Sequence, residues 1–263
     1  MSGQTVVEGR QFSQNFMRLR PNREIAGTPA WVWLFFWLAI LFLAIPLTGM
    51  VLRVPWLRVP RLLASPEALQ ALGLSLVTCL AATLIAMALG VPLAVVMSRL
   101  QGRFAVAVRT LVTIPMVLPP VVAGLALLAT LGRRGLLGKV MAVAGIEIGF
   151  TTAAVVVAQV FVAMPLLVIS LEAALRTDSG GYGAVAANLG ATPSRVLWRV
   201  TLPMATPALV SGTAMTFARA LGEFGATLTF AGSLAGTTRT MPLLIYLQRE
   251  QDPDLALALA MVL

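Results

Sequence analysis

Arg219 and Glu223 stand four residues apart inside an otherwise uncharged stretch of the chain. On a helix that spacing puts both side chains on one face, where they can pair. Charges within an apolar run turn toward a bundle interior or a water-filled path. Two chemistries fit: a polar, mobile section of a pathway, or a structural tie that locks neighbouring helices. Gly222 and Gly225 flank the acid, and small residues permit close helix approach. Thr227 and Thr229 add hydroxyls nearby. A lone arginine here would attract an oxyanion, but tight capture would slow its release.

A second polar stretch runs from Arg176 to Leu202. Tyr182–Leu189 is rich in alanine, a strong helix former. Gly190 is placed to end that helix as the residue just past its cap. Thr192 can cap the next helix, with Pro193 at its first position. Ser194–Val200 continues the second helix until Leu202-Pro203 breaks it. Val196, Leu197 and Val200 offer a hydrophobic edge, so the pair of short helices reads as a docking surface. An ordinary amphipathic loop at the membrane interface is the alternative.

Other chemistry is missing. There is no histidine and a single cysteine, Cys79, which lies in an apolar run. That excludes a disulfide within the chain and leaves almost nothing to build a His/Cys metal site. Cys79 is read as a small buried hydrophobe. No phosphate-binding loop is present: around Gly138-Lys139, Arg133 stands where the first glycine belongs and Val140 where Ser or Thr belongs. No pair of carboxylates in the apolar runs supports hydrolysis within a membrane.

The elements that position these residues follow from composition. The 263 residues are 59% hydrophobic and 11% charged, against about 25% charged in soluble domains. Lipid is therefore the solvent for much of the surface. A spanning helix needs about 20 apolar residues, and uncharged runs occupy Trp31–Leu52, Ala68–Ser98, Thr110–Gly132, Gly149–Leu171 and Leu202–Ala218. The last of these resumes after Glu223, and a final apolar run covers Leu255–Leu263. The expectation is an all-α membrane protein with six spans, about 31–52, 68–98, 110–132, 150–171, 203–231 and 254–263. The sixth is expected to be incomplete, because its apolar run reaches only about 14 Å as a helix. Trp31, Trp33 and Trp37 suit an interfacial anchor.

Residues 1–30 form a polar tail holding Arg10, Arg18, Arg20 and Arg23, ahead of a membrane domain at 31–263. A secretory signal would begin its apolar stretch earlier and end at a cleavage site, so the first span is expected to stay attached. The net charge of +9 is scattered between hydrophobic runs. That fits contact with anionic headgroups and lacks the single basic face that nucleic acid requires. With an inside N-terminus, ten arginines fall inside and eight basic residues outside. This difference barely supports the positive-inside rule. Prolines and glycines recur in the runs, and Pro119–Pro120 in mid-span points to a broken helix that moves.

The run V-A-A-N-L-G-A-T-P-S-R-V-L-W-R-V-T-L-P, Val185 to Pro203, resembles the coupling-helix signature of ABC importer permeases. The matching positions are Val185, Ala186, Ala187, Asn188, Leu189, Gly190, Ala191, Arg195, Leu202 and Pro203. Near the start of the motif the family carries a glutamate where this chain has Gly183 and Ala184. Phe217–Gly232, Leu118–Gly124, Gly132–Gly138 and Met241–Leu247 resemble the molybdate and sulfate/thiosulfate branch, most of all a molybdate permease.

The resemblance implies the type I importer fold, with residues 176–202 as a cytoplasmic loop seated on an ATP-binding subunit. It also implies a plasma or inner membrane location with the N-terminus in the cytoplasm. ATP and Mg would be used by the partner, and none would be bound by this chain. Further implied partners are an extracytoplasmic oxyanion-binding protein and a second permease copy, as a homodimer. Pro119, Pro120, Gly124, Arg219, Gly222, Glu223, Gly225 and Thr227 would form the gate or pathway. The cargo would be molybdate or tungstate, with sulfate or thiosulfate as the alternative. A self-contained secondary transporter is a further alternative, but no internal repeat of the kind common in that class is evident.

Overall fold

A computed structural model of the chain describes residues 29–177 and 181–263. The polar tail, and Asp178 to Gly180 within the second polar stretch, lie outside the described residues. All regular structure among the described residues is helical.

The chain divides into two units, Met1–Leu52 and Arg53–Leu263. The first contributes α1 (Ala30–Arg53), whose aromatic and aliphatic side chains are exposed on every side. A helix apolar all round is matched to lipid. Trp31 meets Phe35, and Trp33 meets Phe36, edge to face.

The second unit begins with α2 (Val59–Leu63) and α3 (Pro66–Arg99). Ser65 caps α3 by accepting from the Ala68 amide, and Pro66, Glu67 and Arg99 occupy the positions that favour each end. Next come α4 (Gly102–Val117), α5 (Pro120–Leu131), α6 (Gly138–Val143) and α7 (Thr152–Thr177). The polar stretch holds α8 (Tyr182–Asn188), α9 (Pro193–Val196), a π-helical turn (Leu197–Thr201) and α10 (Leu202–Met204). The unit ends with α11 (Thr206–Leu221), α12 (Gly225–Ala231), α13 (Met241–Gln251) and α14 (Pro253–Val262).

Helix α7 is the hub and packs on α3, α4, α5, α11 and α12. Its buried positions mix small and larger residues: Ala163 clusters with Cys79 of α3 and Ala220 of α11, and Ala154 and Ala158 cluster with Ala123 of α5 and Ala226 of α12. In lipid no hydrophobic drive joins helices, so close packing of small residues has to hold them. At Gly90 of α3, an added Cβ would come within 3.2 Å of Val168 Cγ2 on α7.

Among the described residues, three helices are long and apolar enough to cross a membrane: α1, α3 and α7. The α4–α5 pair also passes, but bent by 112°. The predicted span over 110–132 is therefore two rods, broken at the Pro119–Pro120 pair as expected. Leu118 and Pro119 are both extended, with ψ of 136° and 135°, and Pro120 starts the new helix. A proline forces its predecessor out of helical geometry, and two in succession complete the break. The predicted fifth run is likewise divided, ending at Gly222 and restarting at Gly225. Helix α7 continues past Leu171 to Thr177, so Arg176 belongs to the helix and not to the loop.

Candidate functional site

The start of α5 crosses α12 at van der Waals distance. A Cβ added at Gly124 would overlap Thr229 Oγ1 and lie 2.8 Å from the Ala226 carbonyl oxygen. A Cβ at Gly225 would lie 2.6 Å from Pro120 Cβ. Two glycines on facing helices thus mark where the backbones touch. Around them Ala123, Leu127, Ala226 and Phe230 join Ala154, Val155 and Ala158 of α7 in one buried cluster. The structure brings Pro120 and Gly124 together with Gly225, Ala226 and Thr229, while Thr227 lies buried on α12 and Glu223 just ahead of that helix. The threonine hydroxyls donate to their own helix backbone: Thr227 to the Phe224 carbonyl at 2.9 Å and Thr229 to Gly225 at 2.9 Å. They are satisfied locally rather than presented to a path.

Arg219 Nη1 lies 2.6 Å from Glu223 Oε2, and Glu223 is fully buried. The predicted pair forms, but not on one helix face, because α11 has ended at Leu221 and Glu223 lies in the break. The other carboxylate oxygen, Oε1, accepts from the Ala226 amide at 2.8 Å. One acid therefore ties the last turn of α11 to the first turn of α12, as a cap and an ion pair together. Gly222, exposed in the break, gives the chain room to turn. This geometry is that of a structural tie.

In the polar stretch, Val185, Ala186, Ala187 and Asn188 lie on α8, and Leu189, Gly190 and Ala191 form its end. Gly190 has φ of +84°. Its amide donates to the Ala187 carbonyl at 2.9 Å, and the Ala191 amide donates to Ala186 at 3.0 Å. These two bonds are the Schellman pattern that a left-handed residue past the cap allows. Thr192 occupies the cap of α9 with extended backbone, but its hydroxyl accepts no capping bond, contrary to expectation.

Two further expectations are corrected. Leu202-Pro203 does not break the second helix, which runs on to Met204 and turns at Ala205. Return from π to α geometry puts Pro203 in the first turn of α10, where a missing N–H costs little. Val196 is buried, not part of an outward edge, and Leu197 and Val200 are half-buried. The outward apolar surface consists of Tyr182, Val185, Leu189 and Trp198 instead, with Leu189 83% and Trp198 68% exposed. Arg195 and Arg199 are exposed beside it. Beneath the loop lies a cavity of about 510 Å³, lined by Val95, Ser98 and Arg99 of α3, Leu175 of α7, and Gly183 and Ala187 of α8.

One cluster was missed by sequence reasoning. Glu172 on α7 receives Arg109 Nε from α4 at 2.6 Å and has Arg176 Nη1 at 3.6 Å. Arg109 Nη2 also donates to the Met97 carbonyl at 3.2 Å. The available signal was a lone acid in the apolar run ahead of Arg176, four residues away. Among the described residues, no group of three or more His, Cys, Asp or Glu side chains could hold a metal ion.

Apolar helices of spanning length, a broken apolar pair and a shared hub helix define an all-α membrane protein. The chain belongs to the family described as binding-protein-dependent transport system inner membrane component, matched over residues 90–263. It is thus a transport component rather than an enzyme. It is 54% identical over 235 residues, 89% of each chain, to the molybdenum transport system permease protein ModB of Mycobacterium tuberculosis H37Rv. The protein of that name from Escherichia coli K12 is 37% identical over 70% of this chain and 81% of its own. A probable sulfate transport system permease protein, cysT of Chlorokybus atmophyticus, is 35% identical over 72% of this chain and 66% of its own.

Proposed function

We propose that this chain is the permease subunit of an ATP-driven importer and forms an alternating-access pathway for molybdate or the isosteric tungstate. The 54% identity to a molybdenum permease across nearly the whole chain carries this reading. The lower identity to the sulfate-type relative makes sulfate or thiosulfate the second choice. Residues 176–202 lie in the cytoplasm and seat on an ATP-binding subunit dimer, and the exposed Tyr182, Val185, Leu189 and Trp198 provide the apolar contact. ATP and Mg are used by that partner, consistent with the lack of a phosphate-binding loop in this sequence. An extracytoplasmic oxyanion-binding protein delivers the cargo, and a second copy of the permease completes the path. Six spans and a cytoplasmic N-terminus follow if four spans precede the loop.

The α5–α12 crossing at Gly124 and Gly225, with Pro119, Pro120 and Thr227 beside it, is the gate. Both rods end at breaks, so they can pivot without unfolding a spanning helix. The test is uptake by proteoliposomes holding the permease, its ATPase and its binding protein. ATP-driven molybdate uptake, blocked by tungstate and weakly by sulfate, is expected. Stronger competition by sulfate than by tungstate would move the cargo to the sulfate class.

A further inference from the structure

The Arg109–Glu172 contact lies outside both the gate and the loop, yet it touches the elements that join them. Glu172 is on the last turns of α7, just before the helix ends at Thr177 and the chain enters the polar loop. Arg109 is on α4, whose far end at Val117 meets the 112° joint with α5. The same guanidinium holds the Met97 carbonyl in the last turns of α3. Beside this pair, Ala94 and Met97 of α3, Val168 and Leu171 of α7, and Ala205 form a buried cluster, with Val108 and Val112 of α4 packed against it. Ala205 is the residue at which the loop rejoins the bundle. Both ends of the loop therefore converge on one cluster, and Glu172 ties that cluster to α4.

The loop is not packed solidly against the helix ends, because the cavity of about 510 Å³ intervenes. The two chain connections are then a direct route by which movement of the loop reaches the bundle. We propose that Glu172 is a positioning residue: through Arg109 it makes α4 follow the loop-proximal end of α7. The α4–α5 joint converts that motion into a change at the Gly124–Gly225 crossing. A claim of coupling needs an element with two discrete arrangements, and the proposal assigns that role to the joint, bent by 112° here. A stability role alone is a weaker explanation, since a buried ion pair often adds little net stability over an apolar replacement. The inference rests on the importer reading above.

The test uses the full transporter with its ATPase and binding protein in proteoliposomes. ATP hydrolysis and oxyanion uptake are measured on the same sample. Glu172→Gln keeps shape and removes charge, and Arg109→Lys keeps charge and removes the Nε–H. Both are expected to retain ATP hydrolysis within about twofold and to raise ATP consumed per oxyanion at least about fivefold. The swap Arg109→Glu with Glu172→Arg should recover part of the ratio. A structural contact would lower abundance and scale both activities together, so an unchanged ratio would overturn the proposal. Failure of both single variants to assemble would also overturn it, by reducing the contact to a structural one. Absence of ATP-driven uptake in the unmodified protein would instead overturn the importer reading, and this inference with it.

Discussion

Gly124→Val is expected to abolish ATP-driven uptake, by at least tenfold, while the protein still inserts in the membrane. The first added carbon would already overlap Thr229 Oγ1 and press on the Ala226 carbonyl at 2.8 Å and Ala226 Cα at 2.9 Å. Two of these three neighbours are backbone atoms, which no side-chain rotation can clear. Overpacking of a tight contact typically costs about 1–3 kcal/mol, and here α5 and α12 can meet that cost only by separating. If their contact is one state of the gate, separation biases the gate directly. Gly73→Ala provides the control, because a Cβ at Gly73 meets nothing within 4 Å. That change removes a helix-interior glycine and should be neutral or stabilising by up to about 1 kcal/mol. Uptake and thermal unfolding of the two purified variants decide the matter. Full uptake by the Gly124 variant would remove the crossing from the gate.

Gly190→Val is expected to uncouple ATP hydrolysis from uptake by a different physical route. Its Cβ would meet nothing within 4 Å, so no clash is involved. The backbone, however, sits at φ of +84°, where an ordinary side chain costs about 1–2 kcal/mol and a branched one is a genuine outlier. The turn would relax toward negative φ, the Ala187 and Ala186 carbonyls would lose their partners, and Leu189 would move relative to Trp198. Insertion and abundance should be normal, with ATP-dependent uptake reduced at least tenfold. Gly190→Asn should retain much of the activity, since asparagine enters the left-handed region more readily. Equal uptake by the valine variant and the parent would contradict a docking role for this turn.

Much of the fold was legible because lipid imposes simple rules. Long uncharged runs became α1, α3 and α7, and the Pro119–Pro120 pair broke a helix where two missing amides demand it. Gly190 was legible because a left-handed turn leaves few alternatives to glycine. The size of the α4–α5 bend was not, since the two rods also pack on α7 and α12, which are distant in sequence. Val196 was expected on a hydrophobic edge with Leu197 and Val200, but it is buried, and Trp198 in the π-helical turn is exposed instead. Glu223 was paired correctly with Arg219 and misplaced on a helix, because the break at Gly222 is stabilised by the very side chain that periodicity assigned to α11. Arg109 and Glu172 are 63 residues apart in sequence, and nothing local joins them.

The cytoplasmic placement of the polar loop is tested most directly by thiol labelling of Arg195→Cys, an exposed position on α9. The native Cys79 is fully buried and gives little background. A membrane-impermeant maleimide should leave this variant unlabelled in intact cells and label it in inside-out vesicles, with protection when the ATPase subunit is bound. Labelling in intact cells would put the loop on the outer face and contradict its role as the seat of the ATPase.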